Sequence, residues 1–192
     1  MKKEVIRWAE EMLDKNAVVL DTETTGGSFE DEVIEVSVVS PKDGLVLFDS
    51  LFCPKRPISW HSTRVHQLKT KDLKEQPTFP DRWEELRSFI VGVPVLAFNS
   101  SFDSRLLSQS CKRYEIEPPE TDWHCLLKQC VSFFGKKSGV SLDYTCQELN
   151  VQAGNHRALQ DALAAARVVW KLSRMKIRDK LYEPEESNTE SN

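Results

Sequence analysis

The strongest constraint on this chain is the run Ala17-Val18-Val19-Leu20-Asp21-Thr22-Glu23-Thr24-Thr25-Gly26. Four apolar residues lead into two acids one residue apart, then a Thr-Thr-Gly turn signal. A short apolar run bounded in this way reads as a buried strand. Side chains at i and i+2 of a strand share a face, so Asp21 and Glu23 project side by side at its carboxyl end. A strand this apolar belongs mid-sheet. Two carboxylates held that close repel unless a proton or a cation sits between them. An oxygen-only donor pair suits a hard divalent ion such as Mg²⁺ or Mn²⁺. Taken alone, the pair also describes a strand ending in solvated acids before a turn. The deciding question is whether the rest of the chain sends more acids to the same point.

The remaining elements follow from periodicity. Residues 4–14 place Val5, Trp8, Ala9, Met12 and Leu13 on one side of an amphipathic helix. Residues 17–23 are the first strand. Residues 33–39 and 45–52 read as two more strands, joined by the turn Pro41-Lys42-Asp43-Gly44 and therefore antiparallel. The link from Gly26 to Glu32 is too short for a parallel crossover, so the first two strands are antiparallel as well. Residues 54–80 read as irregular, with four prolines and His61 and His66 among them. A helix over 81–91 turns Trp83, Leu86, Phe89 and Ile90 inward. Residues 94–98 are a short buried strand that leads into Asn99 and a helix to about Tyr114. A helix over 123–134, a basic loop over 135–139, a helix over 142–149 and a long helix over 157–174 complete the reading. Helices between strands after residue 80 require parallel crossovers. The sum is an α/β architecture, a mixed sheet flanked by helices, within a length that suits one domain.

Two further acids can reach the first pair. Asp103 lies just past the carboxyl end of the 94–98 strand, where open α/β sheets place their ligand sites. Its ordinary role would be a helix N-terminal acid favoured by the dipole, with Asn99 set to cap the same helix. Asp161 stands in His156-Arg157-Ala158-Leu159-Gln160-Asp161. A five-residue offset on one helix is about 140° in projection, so His156 and Asp161 do not share a helical face. His156 therefore belongs to the entering loop, after Gly154-Asn155, where it can swing over the site. The small residues Ala158, Ala162, Ala164, Ala165 and Ala166 let this helix pack closely on the sheet and carry Asp161 inward.

Asp21-x-Glu23-Thr24-Thr25-Gly26, Asn99-x-x-Phe102-Asp103 and His156-x-Ala158-x-x-Asp161 together resemble the three exonuclease motifs of the DEDD superfamily, in its histidine-bearing DEDDh branch. Val65-His66-Gln67-Leu68, Pro77-Thr78-Phe79 and Ser141-Leu142-Asp143 resemble accessory segments of the same family. Phe98 stands where many members carry His, and Gln67 replaces the usual Gly. Arg157 stands where the tyrosine branch would need Tyr. The resemblance implies an RNase H-like fold with a five-stranded sheet, and a single exonuclease domain over 1–180. It implies hydrolysis from a 3′ end to nucleoside 5′-monophosphates with two divalent cations, Mg²⁺ or Mn²⁺. Asp21, Glu23, Asp103 and Asp161 would hold the cations, Asp21 bridging, and His156 would act as the base. Thr24, Thr25, Gly26, Asn99 and Phe102 would hold the terminal nucleotide. Single-stranded DNA is the favoured substrate, RNA ends the alternative, and a silent nucleic-acid binder of the same fold the rival. A DNA polymerase is a candidate partner, although the short remainder after residue 174 points to a stand-alone enzyme or one joined through its surface.

Composition argues partly against this reading. The net charge of −4 lacks the basic footprint usual for nucleic-acid binding, which leaves bound cations to reverse the sign locally. Lys136, Lys137 and Arg157 are candidates to steer phosphates. No apolar stretch is long enough to span a membrane, and the charged N-terminus is unlike a signal peptide. Five cysteines without metal spacing read as reduced thiols of a cytoplasmic protein. An acidic tail over 181–192 is expected to be disordered.

Overall fold

The computed structural model describes residues 1–176. The expectations for 181–192 lie outside the described residues. The strands are β1 (Val18–Thr24), β2 (Val33–Val39), β3 (Val46–Leu51), β4 (Pro94–Ala97) and β5 (Asp122–Cys125). They form one sheet in the order β3-β2-β1-β4-β5, so the apolar run at Ala17 does sit in its middle. β1–β2 and β2–β3 pair antiparallel, whereas β1–β4 and β4–β5 pair parallel.

Among the described residues there are seven α-helices: α1 (Lys2–Asp14), α2 (Trp60–His66), α3 (Phe79–Ile90), α4 (Ser100–Arg113), α5 (Leu126–Phe134), α6 (Leu142–Leu149) and α7 (Ala158–Ser173). The two-residue period of β1 divides its side chains between two cores. Val19, Val39 and Leu96 pack with α1, α5, α6 and α7. Val18, Leu20, Val36, Val38 and Val95 pack with α3 and α4. Each fully buried aliphatic side chain stabilises the fold by about 1.5–3 kcal/mol, enough to hold charged groups at the strand end. On α7, Ala158, Ala162, Ala164, Ala165 and Ala166 are all buried, which permits the close approach to the sheet expected of them.

Three expectations need correction. The stretch over 54–80 is not wholly irregular: α2 forms there behind a Ser59 cap, followed by a 3₁₀ turn at Thr70–Leu73. The helix expected from 81 begins at Phe79, where Thr78 and Asp81 make a capping box. The helix expected over 123–134 is β5 followed by α5. Asp122–Cys125 pairs residue for residue with Pro94–Ala97, and this pairing overrides local preference.

Candidate active site

The chemistry gathers where β1 outruns its neighbour. Only Val18 and Val19 of β1 are in register with β4. Beyond them, the end of β1 is free to meet the starts of α4 and α7. Asp21 and Glu23 share the face of Val19, the α7 face. Asp161 lies one turn into α7 and turns toward them. One carboxylate oxygen each from Asp21, Glu23 and Asp161 lies within 4.8 Å of the other two.

The start of α7 is fixed by a residue that motif reading did not single out. Glu35, on β2, is the cross-strand partner of Glu23 and only 3% exposed. Its carboxylate accepts from Arg157 Nε at 2.9 Å and Nη2 at 2.5 Å, and from the backbone N–H of Ala158 at 3.1 Å. A bidentate pair of this kind is both strong and geometrically specific. It also occupies Arg157, which is therefore not a free phosphate guide. An acid inside the otherwise apolar run Val33-Ile34-Glu35-Val36 was the signal available in the sequence, because buried charges are retained when paired.

Asp103 stands outside the three-acid group. It is 5% exposed, and Thr22 Oγ1 donates to its Oδ1 at 2.9 Å. Thr22 lies between Asp21 and Glu23 and faces the α4 side, so strand parity separates Asp103 from the other three acids. Asp103 is nonetheless electrostatically close: after burial, its charge is the largest cause of the upward pKa shift of Asp21, ahead of Asp161 and Glu23. Burial and the charges of Glu35 and Asp161 raise Glu23 to about 8. Burial raises Asp103 to about 7, against the stabilising bond from Thr22. Burial also raises Asp161, partly offset by its bonds from the His156 and Asn155 amides. Clustered carboxylates that hold protons this strongly are relieved equally well by cations. The donor set, all carboxylate oxygen, fits hard divalent ions.

The loop before α7 wraps Asp161. Asn155 and His156 donate backbone N–H bonds to Asp161 Oδ1 at 3.0 and 3.2 Å. A Cβ on Gly154 would collide with that same oxygen. His156 is exposed, at φ +60°, in the entering loop as expected.

The other expected contact residues are placed differently. Thr24 and Thr25 are buried and their hydroxyls are used within the loop, Thr24 on the Gly26 carbonyl and Thr25 on Asp31. A Cβ on Gly26 would lie 2.5 Å from Asp31 Oδ2. These residues present the shape of the loop rather than free hydroxyls. Asn99 occupies the cap position of α4 but makes no side-chain cap bond; its Oδ1 accepts from Ser101 instead. Phe102 is half-buried against the α4-side core. Lys136 lies over the Tyr144 ring. His66 is buried and supports the site. Its Nδ1 accepts from the Leu68 amide, so Nε2 carries the proton and donates to the Thr24 carbonyl at 3.2 Å. Gln67, next in the chain, adopts φ +66°, a left-handed backbone that glycine takes up more readily than any other residue.

A sheet end that gathers carboxylates from β1, α4 and α7 under a histidine-bearing loop defines a class of nuclease sites, and comparison with known proteins agrees. A family model described as Exonuclease, of the RNase T group, matches residues 18–169, and the chain belongs to that family. It is 32% identical over 180 residues to a DNA polymerase III subunit epsilon-like protein of Rhodobacter capsulatus, a match covering 85% of this chain and 25% of that one. Among solved structures, Exonuclease X in complex with 5′ overhanging duplex DNA is 26% identical, with a TM-score of 0.62 over 81% of this chain and 90% of that one. The nuclease domain of 3′hExo, a DEDDh family member bound to rAMP, is 18% identical, with a TM-score of 0.66 over 81% of this chain and 90% of that one. The sheet is that of the RNase H-like fold, and the resemblance to the exonuclease family stands. The chain spans about half or less of the length of the first curated relatives it matches. Among the described residues, no helix is long and apolar enough to cross a membrane.

Proposed function

We propose that this protein is a metal-dependent 3′–5′ exonuclease that shortens single-stranded DNA and releases nucleoside 5′-monophosphates. The observation that carries the reading is the meeting of Asp21, Glu23 and Asp161 within 4.8 Å, beside the buried Asp103. Asp21, Glu23, Asp161 and Asp103 would hold two divalent cations, Mg²⁺ or Mn²⁺. Bound there, such a pair supplies Lewis-acid stabilisation of both the attacking and leaving oxygens of an in-line displacement. His156 takes the proton of the attacking water, and its exposed loop position lets the ring reach an incoming strand. Glu35 and Arg157 keep the start of α7, and so Asp161, in place. The Thr24–Gly26 loop, Asn99 and Phe102 line the cleft for the terminal nucleotide. Similarity to an enzyme captured on DNA supports the DNA assignment, and similarity to an epsilon-like protein supports a polymerase as partner.

The test is incubation of the purified protein with 5′-labelled single-stranded DNA and Mn²⁺, with a chelator control and a parallel RNA strand. A ladder that shortens from the 3′ end only with metal is expected. DNA and RNA both left intact would overturn the reading, and shortening of RNA alone would move the substrate to RNA.

A further inference from the structure

The geometry points to a second binding surface, a groove along α4 that takes the single-stranded nucleic acid upstream of the reacting end. Its direction rests on the nuclease reading above; its chemistry stands on separate residues.

The loop after Gly26 is bound down onto α4. Arg105 donates to the carbonyls of Gly27 and Ser28 at 3.1 and 3.3 Å. Gln109 donates to the carbonyls of Ser28 and Asp31 at 3.2 and 3.1 Å. This anchoring holds Phe29 out in solvent, 84% exposed. Its ring lies 5.3 Å from the Arg105 guanidinium, which also lies 5.5 Å from the Phe102 ring. The result is a ladder of ring, cation and ring that starts at the cleft and ends in an open aromatic face. Every nucleobase has a face that can add to such a ladder, so the grip is tolerant of sequence.

Beside Phe29 opens a cavity of about 470 Å³, lined among others by Arg105, Gln109, Lys112, Pro118 and Trp123. No acid lines it, although the chain carries a net charge of −4. Glu117 and Glu120 flank its rim in sequence without lining it. Lys112 is exposed and offers its charge to a phosphate. From Phe102 to Lys112 the helix rises ~15 Å, enough for a few stacked nucleotides. Aromatic stacking plus a cation in an acid-free groove, whose lining residues Ser104 and Arg105 follow Asp103 on the same helix, is the chemistry of a single-strand path.

The test uses the full chain and the double variant Phe29→Ala/Lys112→Glu. Fluorescein-labelled dT20 and rU20 are titrated by anisotropy in EDTA, and hydrolysis of thymidine 5′-(p-nitrophenyl phosphate) is followed with Mn²⁺. That small ester occupies only the cleft for the terminal nucleotide, to which neither side chain is assigned. The variant should bind about tenfold more weakly and keep the wild-type ester rate. A loss on either polymer supports the groove, and its ratio reports the preferred sugar. Unchanged affinity overturns the inference, as does an equal loss of ester hydrolysis, which would mean that the loop only props up the carboxylates. Wild-type binding without any ester hydrolysis would sink the nuclease reading and leave the groove standing.

Discussion

The two faces of β1 solve the same problem differently. On the α7 face, Asp21, Glu23 and Asp161 crowd within 4.8 Å of one another. On the α4 face, Asp103 is single and already accepts a bond from Thr22. The first arrangement depends on a proton or cation from outside; the second is set before any ligand arrives. One residue of strand register decides which kind of site an acid enters.

The sharpest break of this contrast is Asp161→Ala. It should cost at least about 3 kcal/mol of transition-state stabilisation, more than a hundredfold in rate, measured in single turnovers at saturating Mn²⁺. Near-normal turnover would remove the crowded face from the chemistry. Glu35→Gln should follow, with about a 10- to 100-fold loss of rate or metal affinity, since it orients Asp161 without touching substrate. A metal titration that superimposes on wild type would reduce Glu35 to a strand residue. On the quiet face, Thr22→Val should cost about tenfold, the lower end of what one hydrogen bond to a charged group is worth. If Thr22→Val proved as damaging as Asp161→Ala, the distinction between the faces would fail.

Stability against pH sharpens the same comparison. Glu23 and Asp103, raised to about 8 and about 7, bind protons more tightly folded than unfolded. Their contribution is therefore full at acid pH and lost as pH rises through 7 to 8. His66 is lowered from 6.5 by burial, so it opposes folding only as pH falls below that value. Without metal, the melting temperature should drop by about 3 °C or more between pH 6.5 and 8.5. Mn²⁺ should raise it more at the upper pH. A melting temperature that climbs across that interval would contradict the crowding. The smallest effect belongs to Gln67→Gly. Relief of the left-handed backbone should stabilise the protein by up to about 1 kcal/mol, read by denaturant melts, with activity unchanged.

Much of this was legible in the sequence because it follows local rules. The period of β1 put Asp21 and Glu23 on one face, and the offset from His156 to Asp161 put the histidine in a loop. What escaped was set by distant partners. Asp122-Trp123-His124-Cys125 has no strand signature of its own and becomes β5 only by pairing with β4. Glu35 finds Arg157 122 positions away in the chain. Asn99 has the residue type of a helix cap but bonds Ser101 instead. Thr22 stands between two acids in the chain, and its parity aims it at Asp103 instead.

The knot at Gly154, Asn155 and His156 around Asp161 Oδ1 has a mechanical consequence. That oxygen moors the segment carrying the histidine, so the acid corner and the ring above it are geared together. Demand placed on the oxygen from within the pocket slackens its hold on the two amides. Hydrogen–deuterium exchange at Asn155 and His156 is thus a gauge of how heavily the corner is loaded.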